Sequence, residues 1–167
     1  MNRQLLLLFT FYVLVSSIQA IDFTYCDDEE NFPVKVQQIK IIPDPVVTGK
    51  PAIFNISAVT ALAFSIHSLI LRLLLAWIDR SVSGGKVMIE VRYFGIRVHS
   101  ETHDICEEVS CPIEAGNFVL SHAETLPGYT PPGVYTLKMK MIGKNGYQLT
   151  CFSFKFKIGF GALVSEN

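Results

Sequence analysis

Residues 134–158 read VYTLKMKMIGKNGYQLTCFSFKFKI, which is two alternating segments joined by a glycine-containing turn. Apolar side chains occupy every second position from Tyr135 to Met141 and again from Phe152 to Ile158, with lysine and hydroxyl residues among those between them. A period of two is typical of a β-strand with one buried face, and an Asn-Gly step favours a tight hairpin turn. The stretch therefore predicts an antiparallel hairpin with an aromatic and methionine-rich inner face.

The rest of the chain repeats this alternation in shorter segments, which fall at residues 34–41, 54–58, 87–93 and 118–120. The apolar phase slips at Gln37-Gln38 and shifts again after Gly95, and a glycine at such a shift predicts a β-bulge. Proline and glycine clusters separate the segments. Several short strands with frequent turns predict an all-β fold, an antiparallel β-sandwich of two sheets.

Composition narrows the class of protein. The chain has 167 residues, of which 50% are hydrophobic, and a formal net charge of −1. This length fits one domain, and the apolar content excludes an intrinsically disordered chain. A nucleic-acid-binding domain would carry a strong basic excess, so we expect no nucleic-acid partner.

The N-terminus has the pattern of a secretory signal peptide. Arg3 precedes an apolar run that starts at Leu5, and small residues lead to Ala20. This order predicts a signal peptide at residues 1–20; an uncleaved signal anchor is the alternative. We therefore expect a mature domain at residues 21–167 that is secreted or enters the endomembrane lumen, meaning the extracellular space or a vacuole- or lysosome-like compartment.

All four cysteines follow the proposed cleavage site. In an oxidising compartment an even number of cysteines predicts disulfides, and four of them allow three pairings. Cys106 and Cys111 are close enough in sequence to close a small loop, which leaves Cys26 with Cys151. A zinc site is the alternative, but no Cys-x-x-Cys pair supports it.

Residues 58–78 do not fit the strand pattern; they read AVTALAFSIHSLILRLLLAWI. As a helix, this segment is long enough to cross a bilayer. Arg72 near its middle makes insertion costly, by about 2.5–3.5 kcal/mol. Three interpretations stay open: a membrane anchor, a lid over a binding site, or sequence foreign to the fold that derives from a retained intron or a mistaken gene model.

Several loop motifs follow one another along the chain. They are FTYC at 23–26, IPDPV at 42–46, GKPAIFNIS at 49–57, SGGKV at 83–87, LPGYTPPG at 126–133 and LTCF at 149–152. Together with the two cysteine pairs, they show that the chain resembles the ML-domain lipid-recognition family across residues 22–162. It is most similar to plant members described as phosphatidylglycerol/phosphatidylinositol transfer proteins, and more distantly similar to the lumenal sterol carrier of the Niemann-Pick type C pair.

The resemblance implies an immunoglobulin-like sandwich with a lipid cavity between its sheets. It also implies the pairings Cys26–Cys151 and Cys106–Cys111. Family members connect the strand near Ala58 to Ser83-Gly84-Gly85 through a short turn. The resemblance therefore implies an atypical apolar insertion, at about residues 60–79, that interrupts the domain.

By resemblance, the protein carries a sterol or a phospholipid (phosphatidylglycerol or phosphatidylinositol) between membranes; a lipid-sensing co-receptor is the alternative function. Its partners are then the lipid, a transient membrane surface and a membrane or receptor protein, and we expect a monomer. Inward-facing residues are expected to line the cavity, although the same pattern suits a filled core. They are Phe94, Ile96, Val98, Phe118, Leu120, Tyr129 at the expected mouth, Tyr135, Leu137, Met139, Met141, Phe152, Phe154 and Phe156.

No enzyme motif is present in the sequence. The strongest catalytic or metal candidate is His99-Ser100-Glu101-Thr102-His103-Asp104, which holds two imidazoles and two carboxylates. Because this stretch leads into the Cys106–Cys111 loop, we predict a solvated polar loop and assign no catalytic residue, no metal site and no cofactor. Asn55-Ile56-Ser57 is an N-glycosylation sequon, with Asn55 on the polar phase of its strand.

Overall fold

The structure is a computed structural model that describes residues 20–26, 32–60 and 81–159. The predicted signal peptide lies outside these ranges except for Ala20, and the predicted apolar insertion lies outside them except for Thr60. Within them, no helix has the length and apolar character needed to cross a membrane.

β-Strands make up most of the described chain, as the alternating sequence predicts. The elements are β1 (Phe23–Tyr25), β2 (Val34–Ile42), β3 (Val46–Val47), β4 (Pro51–Thr60), β5 (Gly85–Tyr93), β6 (Ile96–Asp104), α1 (Ile105–Glu108), β7 (Asn117–Thr125), β8 (Gly133–Gly143) and β9 (Gln148–Gly159). The single turn α1 follows β6 directly. It is capped by the Asp104 carboxylate, which accepts a hydrogen bond from the Cys106 backbone N–H at 2.8 Å.

The strands form two sheets. The larger sheet has the order β1-β9-β8-β5-β6, and β3 adds to it parallel to β9. The smaller sheet has the order β2-β4-β7. The other pairings between these strands are antiparallel. The predicted immunoglobulin-like two-sheet antiparallel β-sandwich is therefore confirmed.

The β8–β9 hairpin forms where the sequence predicts it. Leu137 lies opposite Phe154 and Met139 opposite Phe152, and all four side chains are buried. The turn closes at Gly146, whose φ is +81° and whose backbone N–H donates to the Gly143 carbonyl at 2.9 Å. Positive φ favours glycine because it has no Cβ to clash. The outer face of the hairpin is the lysine-rich one.

Both phase slips in the sequence lie at or near irregularities in strand pairing. At Gln37-Gln38, the β2–β4 register shifts between Val36 and Gln38. Gly95 itself lies in a turn, but a bulge follows it, because the β5–β6 register shifts between Val91 and Arg92. Phe94 and Gly95 form a two-residue turn between β5 and β6 with φ of +48° and +80°. Positive φ at both positions matches the right-handed twist of the flanking strands.

Both disulfides implied by the family resemblance are present. Cys26 after β1 is bonded to Cys151 on β9, and Cys106 in α1 is bonded to Cys111. The first joins residues 125 positions apart. It holds the start of the domain against the last strand of the larger sheet.

The hydrophobic core lies between the inner faces of the two sheets. Phe54 of the smaller sheet meets Phe156 of the larger sheet edge-on, with ring centroids 5.5 Å apart. Ile39, Leu120 and Phe152 have almost no exposed surface. Such aromatic and aliphatic burial is the main term that stabilises a sandwich.

Candidate functional site

A cavity of about 420 Å³ opens between the two sheets. This volume lies in the range typical of small-molecule sites, roughly 300–1,000 Å³. Most of its wall is apolar and comes from β4, β5, β8 and β9. The main apolar residues of this wall are Phe54, Ile89, Val91, Leu137, Phe156 and Ile158.

The loop between β7 and β8 forms one rim of the cavity. Leu126, Pro127, Tyr129, Thr130 and Pro131 all line it. The Thr130 backbone N–H and hydroxyl both donate to the Pro127 carbonyl, at 2.9 and 2.7 Å. This tight turn leaves the Tyr129 side chain 87% exposed at the mouth.

Two stacked tyrosines support this rim from inside. The Tyr93 and Tyr135 rings are 4.5 Å apart and nearly parallel, and their hydroxyls donate to the Pro132 and Pro131 carbonyls at 3.2 and 2.8 Å. Burial raises the pKa of the Tyr135 phenol, and Tyr93 adds to the effect. Tyr135 therefore stays protonated and able to donate. Gly133 has φ of +149°, and a Cβ there would lie 2.9 Å from the Tyr93 ring, so only glycine fits.

The opposite side of the cavity is polar. His99, Glu101, His122 and Glu124 line it. Burial raises the pKa of Glu101, but the nearby His103 and His99 imidazoles outweigh this effect and hold the pKa below its usual value. The Glu101 side chain, 20% exposed, is therefore a charged group beside an apolar wall.

The prediction of a loop at residues 99–104 is wrong, although four of these six residues are exposed to solvent as predicted. These residues belong to β6, paired along β5 by regular register. A strand projects alternate side chains to one face, so Glu101 and His103 point the same way, toward His122 of β7. His122 was not among the predicted site residues, although its alternation with Leu120 marks it as inward-facing.

The predicted cavity residues divide into three groups. Five line the cavity: Val98, Tyr129, Tyr135, Leu137 and Phe156. Five others are buried in the packed core and do not line it: Leu120, Met139, Met141, Phe152 and Phe154. The remaining three lie elsewhere: Phe94 and Ile96 are exposed at the β5–β6 turn, and Phe118 borders a separate hollow beside residues 108–115.

Comparison with known proteins defines the class. The model of the ML-domain family matches residues 74–158. The match covers half of the chain, and the fold agrees with it, so the protein belongs to the ML-domain family.

Relatives with assigned names lie within this family. The phosphatidylglycerol/phosphatidylinositol transfer protein of Aspergillus fumigatus is 26% identical over 142 residues, which are 80% of this chain and 71% of that protein. The protein of the same name from Aspergillus oryzae is 30% identical over 132 residues, 76% of this chain and 66% of that protein.

A solved structure supports the fold. The crystal structure of a Niemann-Pick type C2 protein from the Japanese carpenter ant matches with a TM-score of 0.57 and 14% identity. The match covers 83% of this chain and 99% of that chain. At this identity the likeness concerns the fold alone.

Proposed function

We propose that the protein binds one lipid molecule in the cavity between its sheets and transfers it between membranes. The observation that carries this proposal is the cavity of about 420 Å³, with its apolar wall, in an ML-domain sandwich. The names of the two fungal relatives support a phospholipid such as phosphatidylglycerol or phosphatidylinositol as cargo; a sterol is the second candidate. The protein acts without making or breaking a bond and without a cofactor.

Affinity comes from burial of the lipid's apolar part. Each buried CH₂ group contributes about 0.8 kcal/mol, which is about a fourfold gain in affinity. The side chains of Ile89, Val91 and Leu137 line the cavity and carry no polar atom that an acyl chain or a sterol ring would meet. Tyr129 lies where the polar end of the ligand leaves the cavity, because its ring lines the mouth while its surface stays largely exposed.

Loading and release take place during transient contact with a membrane. Phe94 and Ile96 are 85% and 70% exposed, and they lie between the cavity-lining residues Tyr93 and Val98. With Tyr129 they provide exposed apolar surface on the two segments that flank the mouth. Such a surface favours docking on a bilayer, because docking moves apolar surface out of water.

The proposal extends to the processing and the location of the protein. Residues 1–20 act as a cleaved signal peptide, and residues 21–167 form the mature ML domain with an apolar insertion at about 60–79. The two disulfides support a secreted or lumenal location, and the proposed state there is a monomer. Asn55 is half-buried on the outer face of β4 and is the proposed glycan site.

The test begins with lipids that copurify with the secreted full-length protein, identified by mass spectrometry. The purified protein is then mixed with donor and acceptor vesicles that contain labelled phosphatidylglycerol, phosphatidylinositol or sterol. We expect protein-dependent transfer of the copurified class. Absence of bound lipid and of transfer would contradict the proposal. Stoichiometric binding with transfer only when a second protein is added would favour the co-receptor.

A further inference from the structure

A cluster of histidine and glutamate side chains joins the edges of the two sheets. Glu101 and His103 come from β6, the edge strand of the larger sheet, and His122 comes from β7, the edge strand of the smaller sheet. One ligand-type atom from each of the three lies within 4.8 Å of those from the other two. Glu108 of α1 completes the cluster, with its carboxylate 3.0 Å from His122 Nδ1.

The imidazole of His122 is held with one nitrogen unpaired. Its side chain is only 8% exposed, and Nδ1 is hydrogen-bonded to the equally buried Glu108. A neutral imidazole carries one proton, so donation from Nδ1 leaves a lone pair on Nε2. That Nε2 atom is buried and has no hydrogen-bond partner, although Glu101 Oε1 is 3.2 Å away. Two electron-rich atoms, one on each of these side chains, therefore face each other.

His103 lies on the other side of Glu101. Its side chain is 30% exposed, but its Nε2 atom is buried, makes no hydrogen bond of good geometry and lies 3.2 Å from the other oxygen of Glu101, Oε2. An unpaired buried polar atom costs stability unless something binds it. Two such nitrogens on either side of one carboxylate call for a cation between them.

The spacing fits a small metal ion. Bonds of about 2.0–2.1 Å from a tetrahedral Zn²⁺ to nitrogen or oxygen separate its ligands by roughly 3.3 Å, and both nitrogen–oxygen distances here are 3.2 Å. The Glu108–His122 hydrogen bond is the carboxylate–histidine contact that orients metal-bound imidazoles in proteins. Glu107 and Glu124 also lie within 4.0 Å of these imidazoles, and in the described chain no lysine or arginine forms an ion pair with the cluster.

We propose that Glu101, His103 and His122 bind a divalent transition-metal ion, zinc above all, with Glu108 orienting His122. Two histidines and a glutamate leave a fourth position for water. The ion joins β6 to β7 and so links the two sheets at their open edge. The site borders the cavity, because Glu101 and His122 also line it, but the proposal does not depend on lipid binding.

The test is titration of the secreted full-length protein, stripped with chelator, with ZnCl₂ alone. We expect one Zn²⁺ per chain by calorimetry and by elemental analysis. At zinc concentrations about 100-fold above Kd, the Tm should rise by roughly 5–10 °C. With Co²⁺ as probe, the visible spectrum should show a four-coordinate ion.

Single-residue variants distinguish zinc binding at these three ligands from loose zinc binding by surface groups. His122→Ala and His103→Gln each remove a ligand and should abolish the zinc-dependent rise in Tm. Glu108→Gln keeps all three ligands but removes the orienting carboxylate, and should weaken binding about 10–100-fold. His99→Ala is the matched control, since His99 lies 3.3 Å from Glu101 but is 53% exposed, and it should bind zinc as the wild type does. If His122→Ala does not fold, His103→Gln still tests the site, because His103 is partly exposed and its replacement disturbs the core less.

Two outcomes would overturn the proposal. The first is wild-type protein that takes up no stoichiometric zinc, which would mean that the imidazoles are satisfied by protons instead. The second is His99→Ala losing as much affinity as His122→Ala, which would indicate loose binding by surface groups. Neither outcome bears on lipid transfer, which is measured separately.

Discussion

Phe154 and Phe156 lie two residues apart on the same face of β9, and both are buried. Their surroundings differ. Phe154 stacks beside Phe152 in the filled part of the core, whereas Phe156 lines the cavity and meets Phe54 across it. At the scale of single residues, two equally buried side chains therefore differ in role: Phe154 fills the core and Phe156 lines the cavity.

The first prediction compares these two residues. Phe154→Ala should destabilise the fold by about 3–5 kcal/mol, because it removes a ring from a packed site, and should leave lipid affinity per folded molecule unchanged. Phe156→Ala should cost less stability, since the cavity already lacks some contacts there, and should lower lipid affinity. Denaturant unfolding and lipid titration measure both. Equal loss of affinity in the two variants would place the binding site elsewhere.

The second prediction concerns Tyr135. Because burial raises its pKa, the folded phenol keeps its proton at a pH where the unfolded chain has lost it. Stability therefore falls as pH rises above about 10, the ordinary pKa of tyrosine. Tyr135→Phe should reduce this alkaline loss. At neutral pH it should cost about 1 kcal/mol, because the hydrogen bond to Pro131 is gone. Thermal unfolding from pH 7 to 11 tests this, and an unchanged slope would contradict it.

At the scale of elements, the β5–β6 turn lies beside the β7–β8 loop, which forms one rim of the cavity. Tyr93 connects them, because its ring stacks on Tyr135 and its hydroxyl bonds the loop at Pro132. The turn itself carries Phe94 at φ of +48°, a conformation that suits asparagine better than phenylalanine. Phenylalanine at this φ carries a backbone cost, and from this cost we infer a role for its exposed ring.

The third prediction follows from that turn. Phe94→Asn creates an Asn-Gly turn and should raise stability, by about 0.5 kcal/mol. It should also slow transfer between vesicles severalfold, because it removes apolar surface from the mouth, while equilibrium lipid affinity stays the same. Transfer kinetics and unfolding curves measure the two effects.

The control for this variant lies at the other end of the sandwich. Tyr147→Ser removes another exposed aromatic ring, in the β8–β9 turn. It should leave the transfer rate unchanged. If it slowed transfer as much as Phe94→Asn does, general surface hydrophobicity would explain the effect and the mouth would have no special part.

At the scale of the whole molecule, the described chain remains one sandwich on both sides of residues 61–80. Thr60 donates its backbone N–H to the Gly116 carbonyl at 3.0 Å, and Val82 bridges to Ile113. Both ends of the intervening segment are thus fastened to the same loop, a few residues apart. A short connection would join them without disturbing β4 or β5.

The fourth prediction is that replacing residues 61–78 with a short glycine-serine linker leaves the fold and lipid binding intact. Thr60 stays, since it is buried and hydrogen-bonded to Gly116. Soluble secretion should increase, because a long apolar stretch favours aggregation. Secreted yield and lipid titration test this. Loss of binding in a folded deletion variant would show instead that the segment is a functional lid.

The fifth prediction compares the two disulfides. Replacing Cys26 and Cys151 together with alanine should destabilise the protein by about 2–5 kcal/mol, since the bond closes a loop of 125 residues. The Cys106–Cys111 bond closes a much shorter loop, with a sequence separation of 5. Replacing these two cysteines with alanine should therefore cost less stability. Chemical denaturation of both double variants gives the comparison, and the reverse order would contradict it.

The alternation of apolar and polar residues along the chain determined the strands, the faces that they bury and the position of the hairpin. The period of two between Tyr135 and Ile158 predicts which side chains face inward, and the Asn-Gly step predicts where the hairpin turns. These are local properties, because a strand turns every second side chain to the same face whatever lies beyond it. The loop motifs and cysteines carry the family resemblance, and that resemblance implied the correct sandwich and the correct disulfides.

Only the tertiary structure decided what the inward-facing residues meet. Whether Phe154 touches a neighbour while Phe156 borders a cavity depends on the local separation of two sheets, which alternation does not encode. The meeting of Glu101 with His122 depends on two edge strands, in different sheets, that the packing of the sandwich brings together. Gaps and contacts between distant segments arise from the packing of the whole chain. The cavity and the histidine–glutamate cluster therefore exist only once the two sheets are assembled.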